Sequence, residues 1–296
     1  MTEIINSFIT PNKKYVSCAT NNGYKIYKMY PIVEIFNFNF NGSLSIAKIL
    51  NSTNILVCVG GRDKCTPYKN SKYLFIWDLK NLCEINSKIC LQPIFDICIT
   101  YKHIVINYQD HIEILNLNSL HLITKFKTRL NPIVHLQLLN NESTLLFTSF
   151  KTGYISIWKR KKLIEFKTNL EKIFGLYLDR SNSKFLTVSN RYIKLYDVET
   201  LELLNCISIK NFTSSSIVNV CSDKILRFIL LQFKDEHITV FDIKKNIQWN
   251  IIIPDITSCF ITDDLIPQIF IISKMKMYSI KLKDNNSFKI ILKKCI

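Results

Sequence analysis

Residues Lys72–Lys80 read KYLFIWDLK: alternating apolar positions, an aromatic at Trp77, then Asp78 and a polar turn. Alternation with a period of two marks a strand with one buried face, because successive side chains of an extended chain point to opposite sides. The shape recurs in GYKIYK (Gly23–Lys28), HIEILNLNS (His111–Ser119), GYISIWK (Gly153–Lys159) and RYIKLYDVE (Arg191–Glu199). It is clear again in HITVFDIKK (His237–Lys245) and looser in KMYSIKLKD (Lys276–Asp284). Taking Tyr27, Trp77, Leu115, Trp158, Tyr196, Phe241 and Ile280 as equivalent gives steps of 50, 38, 43, 38, 45 and 39 residues. A period of about 40–45 residues with a Trp-Asp-like strand end is the pattern of a WD-repeat propeller blade. Seven units fill the chain. The expectation is an all-β, seven-bladed β-propeller forming a single domain over residues 1–296, with blades at about 5–30, 31–88, 89–128, 129–167, 168–209, 210–248 and 249–296.

Within that frame the first blade reads INSFIT, KYVSCAT and GYKIYK as strands, with Asn21-Asn22-Gly23 as a tight turn in which Gly23 supplies a positive φ. The second blade carries an insertion, GRDKCTPYKNSK (Gly61–Lys72), which accounts for the long first step. A basic loop with Pro67 and Tyr68 on an otherwise economical scaffold is where function tends to sit. No helical period lasts more than two turns, and there is no linker or low-complexity segment.

Of the 296 residues, 48% are hydrophobic, ample for a core, and the formal charge is +16. Only six of the 39 basic residues are Arg, and the lysines are scattered, as expected for solvated turns and strand edges protected against edge pairing. The same excess keeps an anionic membrane in play. The ten cysteines include no Cys-x-x-Cys pair and no His at metal spacing, so neither a metal site nor a cofactor is expected. Cys18, Cys58, Cys90, Cys98, Cys206, Cys221 and Cys259 lie in or beside apolar runs, as small core residues do. Met1–Lys14 lacks the apolar core of a signal peptide, and Arg227, Pro254 and Asp255 break the longest apolar stretches. A reducing, cytoplasmic setting without a transmembrane segment follows as the expectation. Three of the five histidines (His103, His111, His121) fall in blade three and the others in blades four and six, with no shared spacing, and no catalytic motif is present, so an enzyme is not expected.

The order of motifs in the first half resembles the PROPPINs, the phosphoinositide-binding propellers of autophagy. Asn22–Tyr27 followed by Tyr30-Pro31 is similar to that family's first-blade ending. NSTNILVCVGG (Asn51–Gly61), the basic Pro-containing loop and LFIWDLK (Leu74–Lys80) are similar to its second blade. Ile94–Pro132 follows the third blade almost step for step, down to Asn131-Pro132. Beyond it the likeness thins to propeller spacing.

The resemblance implies an adaptor recruited to membranes carrying phosphatidylinositol 3-phosphate or 3,5-bisphosphate, peripheral on preautophagosomal, endosomal or vacuolar membranes, with protein partners from the autophagy machinery. The family grips its lipid with a Phe/Leu-Arg-Arg-Gly motif between blades five and six, because a planar guanidinium holds phosphate oxygens bidentately. By register the motif falls at Ile207-Ser208-Ile209-Lys210, where both arginines are absent. Thr187, Ser189, Arg191, Ser208 and Lys210 are the positions that match the family's phosphoinositide site. The family's long membrane-inserting loop of blade six follows Phe241, where this chain has only IKKNIQW (Ile243–Trp249). Lys244, Lys245 and Trp249 there read as an interfacial anchor, or as a polar turn and a core Trp that opens the next blade. Arg62, Lys64, Tyr68, Lys69 and Lys72 of the blade-two loop are the candidate partner-binding residues. The alternative to the adaptor is a protein-only WD-repeat scaffold without phosphoinositide binding. A third class, an unrelated WD-repeat module on nucleic acid, lacks the aromatic–basic interleaving it would use, and no nucleic-acid partner is expected.

Overall fold

Each repeat folds into a four-stranded antiparallel meander, and burial along it follows residue type. The computed structural model describes residues 2–10, 14–29, 31–40, 42–50, 52–61, 70–130, 132–139, 142–168, 172–209, 217–234, 237–245, 247–253, 256–261, 268–273, 276–282 and 288–295. All described elements are strands, and no described helix is long and apolar enough to cross a membrane.

The chain divides into two compact units, Met1–Phe126 and Lys127–Ile296. In the first, sheet one holds β1 (Ile4–Ile9), β2 (Tyr15–Thr20), β3 (Gly23–Met29) and β4 (Ile32–Asn39). Sheet two holds β5 (Leu44–Ile49), β6 (Ile55–Gly60), β7 (Tyr73–Asp78) and β8 (Cys83–Ile89). Sheet three holds β9 (Asp96–Ile99), β10 (His103–Asn107), β11 (His111–Asn116) and β12 (Leu122–Lys127).

In the second unit, sheet four holds β13 (Val134–Leu139), β14 (Glu142–Thr148), β15 (Tyr154–Lys159) and β16 (Lys162–Lys167). Sheet five holds β17 (Ile173–Leu178), β18 (Lys184–Ser189), β19 (Tyr192–Asp197) and β20 (Leu203–Ser208). Sheet six holds β21 (Ile217–Ser222), β22 (Phe228–Phe233), β23 (His237–Asp242) and β24 (Ile247–Ile252). Sheet seven holds β25 (Ile256–Ile261), β26 (Gln268–Ser273), β27 (Lys276–Leu282) and β28 (Phe288–Cys295). Seven such meanders make the fold a seven-bladed β-propeller, as the repeat predicts.

The second strand of each sheet is buried along most of its length because both its faces are covered. ILVCVG of β6 and FILLQF of β22 are buried along almost their whole length, whereas KLIEFK of β16 and LLNCIS of β20 are mostly exposed. A two-face-buried strand reads as a continuous apolar run, and an outer strand reads as mixed. Burying one large apolar side chain stabilises by roughly 1.5–3 kcal/mol, so the inner strands carry most of the cohesion. Sheets one and two meet on aromatics: Phe40 lies 4.8 Å from Trp77 and 5.7 Å from Phe75, both edge-on, and Tyr24 stacks on Phe38 at 5.8 Å.

The seven positions aligned from the sequence are structurally equivalent. Each lies on the third strand and pairs with the second residue of a strand two or its counterpart: Tyr27 with Val16, Trp77 with Leu56, Leu115 with Ile104, Trp158 with Leu145, Tyr196 with Phe185, Phe241 with Ile229 and Ile280 with Ile269. All seven are buried.

Four sequence expectations shift. IVEIFNFN is the fourth strand of sheet one, not the opening of blade two at residue 31. Likewise IQWNII, Trp249 included, closes sheet six and does not open blade seven. Outer strands are solvent-exposed along much of their length and lie at blade boundaries, so their ownership is hard to read. Cys206 is exposed for the same reason, lying on β20; Cys18, Cys58, Cys90 and Cys259 are buried. Gly23 does have φ +136°, but it begins β3 and is not a central turn residue. A Cβ there would stand 2.0 Å from the Phe38 carbonyl oxygen, so glycine admits the close approach of β4.

Candidate functional site

In a four-stranded meander the 1–2 and 3–4 turns share one end of the sheet, and the 2–3 turn shares the other with the segments that link sheets. The two ends of sheets four to six differ in chemistry.

At the first end, acidic side chains hold the turns. Asp197 Oδ1 accepts the amide hydrogens of Glu199 (2.8 Å) and Thr200 (2.9 Å), and Asp242 Oδ1 accepts those of Lys244 (3.0 Å) and Lys245 (3.1 Å). Asp78 of sheet two does the same for Lys80 and Asn81. Backbone donors favour the ionised form. The Thr200 amide, then that of Glu199, pulls the Asp197 carboxyl below its ordinary range, and the Lys80 amide does so first for Asp78. The Asp of the Trp-Asp pattern is therefore a turn-former. Buried Asp242 also receives Nη2 of Arg227 at 3.0 Å. Sheet four has Lys159 in place of this Asp, and its turn is the pair Arg160-Lys161, with φ of 51° and 62°.

Lys244 and Lys245 sit on the Asp242 turn, exposed, while Asp242 pairs with Ile247 in register. Trp249 lies within β24, paired with Val240 and packed among the buried residues of sheets six and seven. The two lysines and the Trp are thus on one short hairpin, with the Trp in the strand rather than at the tip.

At the other end of sheet five, Ser189 closes the turn between β18 and β19. Its Oγ accepts from the amides of Arg191 (3.3 Å) and Tyr192 (2.9 Å) and donates to the Tyr192 carbonyl (3.0 Å). Tyr192 pairs with Ser208, and the Ile209 amide donates to the Arg191 carbonyl at 2.8 Å. Ser189, Arg191 and Ser208 therefore converge where β20 leaves the sheet; Lys210 lies outside the described residues. Thr187 is fully buried further in, beside Tyr196, whose phenol burial pushes up to about 12. Lys194 Nζ and the Tyr196 hydroxyl both donate to the Thr168 carbonyl at 3.3 Å, tying the exit of sheet four to sheet five. Buried Ser189 fixes the turn, and the Ser208 hydroxyl and the Arg191 guanidinium remain exposed beside it, suited to an anionic group.

In sheet two, Gly61 and Asn70 bridge the neck of the insertion; Arg62, Lys64, Tyr68 and Lys69 lie outside the described residues. Lys72 is exposed at that neck, and its carbonyl accepts the Cys90 amide (2.8 Å) while the Ser71 carbonyl accepts that of Ile94 (2.7 Å). These bonds carry the segment after β8 past Lys72. They bring Ile89 and Leu91, 78% and 94% exposed, to the same neck. The sequence reading missed both, since Ile89 ends an outer strand and Leu91 lies in the link after it, and nothing in the sequence shows that they face solvent.

His135 packs against the Tyr177 ring at 5.4 Å, and burial pushes its imidazole down to about 4. It is a neutral packing group. Among the described residues no group of His, Cys, Asp and Glu could hold a metal ion.

No family model matches the chain, and no curated protein does. Solved structures do. Kluyveromyces lactis Hsv2 with a complete loop 6CD is 14% identical over 99% of both chains, with a TM-score of 0.81. A form of Hsv2 with that loop replaced by a Gly-Ser linker is 15% identical, with the same coverage and a TM-score of 0.82. KlAtg21 in complex with the coiled-coil of AgAtg16 is 16% identical over 99% of both chains, with a TM-score of 0.80. Hsv2 and Atg21 belong to the PROPPINs that the sequence resembles. At these identities the likeness is one of fold, end to end.

Proposed function

We propose that this chain is a PROPPIN-like adaptor in autophagy or endolysosomal membrane traffic. It holds protein partners at membranes carrying phosphatidylinositol 3-phosphate or 3,5-bisphosphate, acting from the cytoplasm as a peripheral, non-catalytic protein. The observation that carries this reading is the end-to-end match to Hsv2 and Atg21, coupled with the ordered motifs of the first three blades. The Atg21 structure, which holds a coiled-coil of Atg16, supports a protein partner for this chain too. Lys72 with Ile89 and Leu91 is the surface proposed for it, together with Arg62, Lys64, Tyr68 and Lys69. The edge formed by Ser189, Arg191 and Ser208, with Lys210 beyond it, is proposed for the phosphoinositide headgroup.

A second reading, a protein-only scaffold, is favoured by two observations. Ile207–Lys210 contains no arginine, and β24 resumes at Ile247 directly after the Asp242 turn, leaving no long loop to enter a bilayer.

Sedimentation with vesicles carrying the 3-phosphate, the 3,5-bisphosphate or no phosphoinositide, at two salt concentrations, separates the two. The adaptor binds the phosphorylated vesicles selectively, and Arg191→Ala or Lys210→Ala weakens that selectivity. Absence of selectivity, with partner capture intact, leaves the scaffold.

A further inference from the structure

Sheet four carries an exposed apolar tip that neither the headgroup edge nor the partner surface uses. Phe150, in the turn between β14 and β15, is 57% exposed, and Leu130, in the segment leading into β13, is 69% exposed. Hydrogen bonding ties the two segments that carry them to one strand end. Thr128 bridges Ser149, the Thr148 amide donates to the Ile133 carbonyl (3.1 Å), and the Ile133 amide donates to Thr148 Oγ1 (3.1 Å). Thr128 and Ile133 are thus tied to two consecutive residues at one strand end, and Leu130 lies between them in the chain. Thr128, Thr148 and Ser149 are buried, so the tip rests on a fixed base.

Cations surround it. Lys127 Nζ lies 4.7 Å from the Phe150 ring centroid, and Lys151 is the next residue along. The acidic neighbour is Glu165, which accepts from Lys151 Nζ at 2.8 Å and from Ser149 Oγ at 2.8 Å; its neutralising partner is Lys151, so Lys127 still adds positive charge. By topology this end of sheet four is the end at which sheet five presents Ser189 and Arg191, and the Lys194 and Tyr196 bonds to Thr168 join the two.

From this geometry we infer that Phe150 and Leu130 form a shallow membrane anchor that enters the interface of an anionic bilayer, with Lys127 and Lys151 against the headgroups. Aromatic and aliphatic side chains flanked by lysines are the composition of interfacial contacts: the apolar groups leave water, and the cations meet the negative surface. A lipid surface is the occupant that complements both the charge and the small apolar area. The anchor stands in for the long loop that blade six lacks. For its occupant the inference rests on the membrane reading above.

The test is co-sedimentation of the full chain with phosphatidylcholine vesicles containing roughly one-fifth phosphatidylserine and no phosphoinositide. The wild type binds, and part of that binding persists in moderate salt. The double variant Phe150→Ala/Leu130→Ala lowers the partition coefficient roughly tenfold or more, Phe150→Trp retains it, and all variants keep the wild-type circular dichroism. Ile225→Ala, which removes a 68% exposed residue from the opposite end of sheet six, leaves binding unchanged. Wild-type binding by the double variant, or no binding by the wild type, overturns the inference. Because these vesicles hold no phosphoinositide, loss of 3-phosphate selectivity would break the headgroup reading and leave this result standing.

Discussion

At the 1–2 and 3–4 turn end of sheets five and six, polar side chains are spent on the backbone: Asp179, Asp197, Asp223 and Asp242 each accept amide hydrogens of their own turn. At the end carrying the 2–3 turns and the links, Ser189 does similar work, but Phe150, Leu130 and Tyr192 are left in solvent beside lysines. The first end holds its own turns together. The second has more surface than its fold requires. Turn residues that recur from sheet to sheet serve the architecture, and those that break the repeat are where binding is to be sought.

The largest effect should come from the first end. Asp242→Ala removes a buried carboxylate that joins Arg227 to two turn amides, and should cost about 2–4 kcal/mol, since Arg227 is itself part-exposed. The denaturant midpoint measures it, and vesicle binding by the surviving folded protein should be unchanged.

Acid should destabilise sheet four. The folded pKa of His135, about 4, lies below its ordinary 6.5, so the unfolded chain takes up a proton first. Stability is then flat above 6.5, falls as pH drops from 6.5 to 4, and loses up to about 3 kcal/mol in total. His135→Gln should flatten this limb in chemical unfolding across that range. The loss belongs to the packing of β13, not to either end.

The turn that lacks its Asp offers a smaller change. Arg160 and Lys161 both hold positive φ, which Asn-Gly adopts at little cost in a two-residue hairpin. Replacing Arg160-Lys161 with Asn-Gly should raise stability by about 1 kcal/mol, read as a higher melting temperature. Smallest of all, Phe150→Ala should alter stability by no more than about 0.5 kcal/mol, because the ring is outside the core. A large loss there would make Phe150 a packing residue and erase the contrast between the ends.

Much of the fold was legible in the chain, because KYLFIWDLK and its echoes mark the third strand, which is buried and ends at a turn. The aligned positions from Tyr27 to Ile280 occupy one register place as a result. The ownership of the outer strands was not legible: alternation marks IVEIFNFN and IQWNII as strands but does not say whether they close one sheet or open the next. Of the candidate sites, the convergence of Ser189, Arg191 and Ser208 followed from blade register. Phe150 and Leu130 did not, since the ties that bring both segments to one strand end are the Thr128 bridge and the Thr148–Ile133 bonds, which no spacing announces.

Hydrogen–deuterium exchange with and without phosphatidylinositol 3-phosphate vesicles tests the division between the ends most directly. Protection should rise over 127–130, 149–154 and 189–192, and stay constant over 159–162 and 242–245. Protection over 242–245 with none over 149–154 would contradict it, and would return the membrane contact to the blade-six turn.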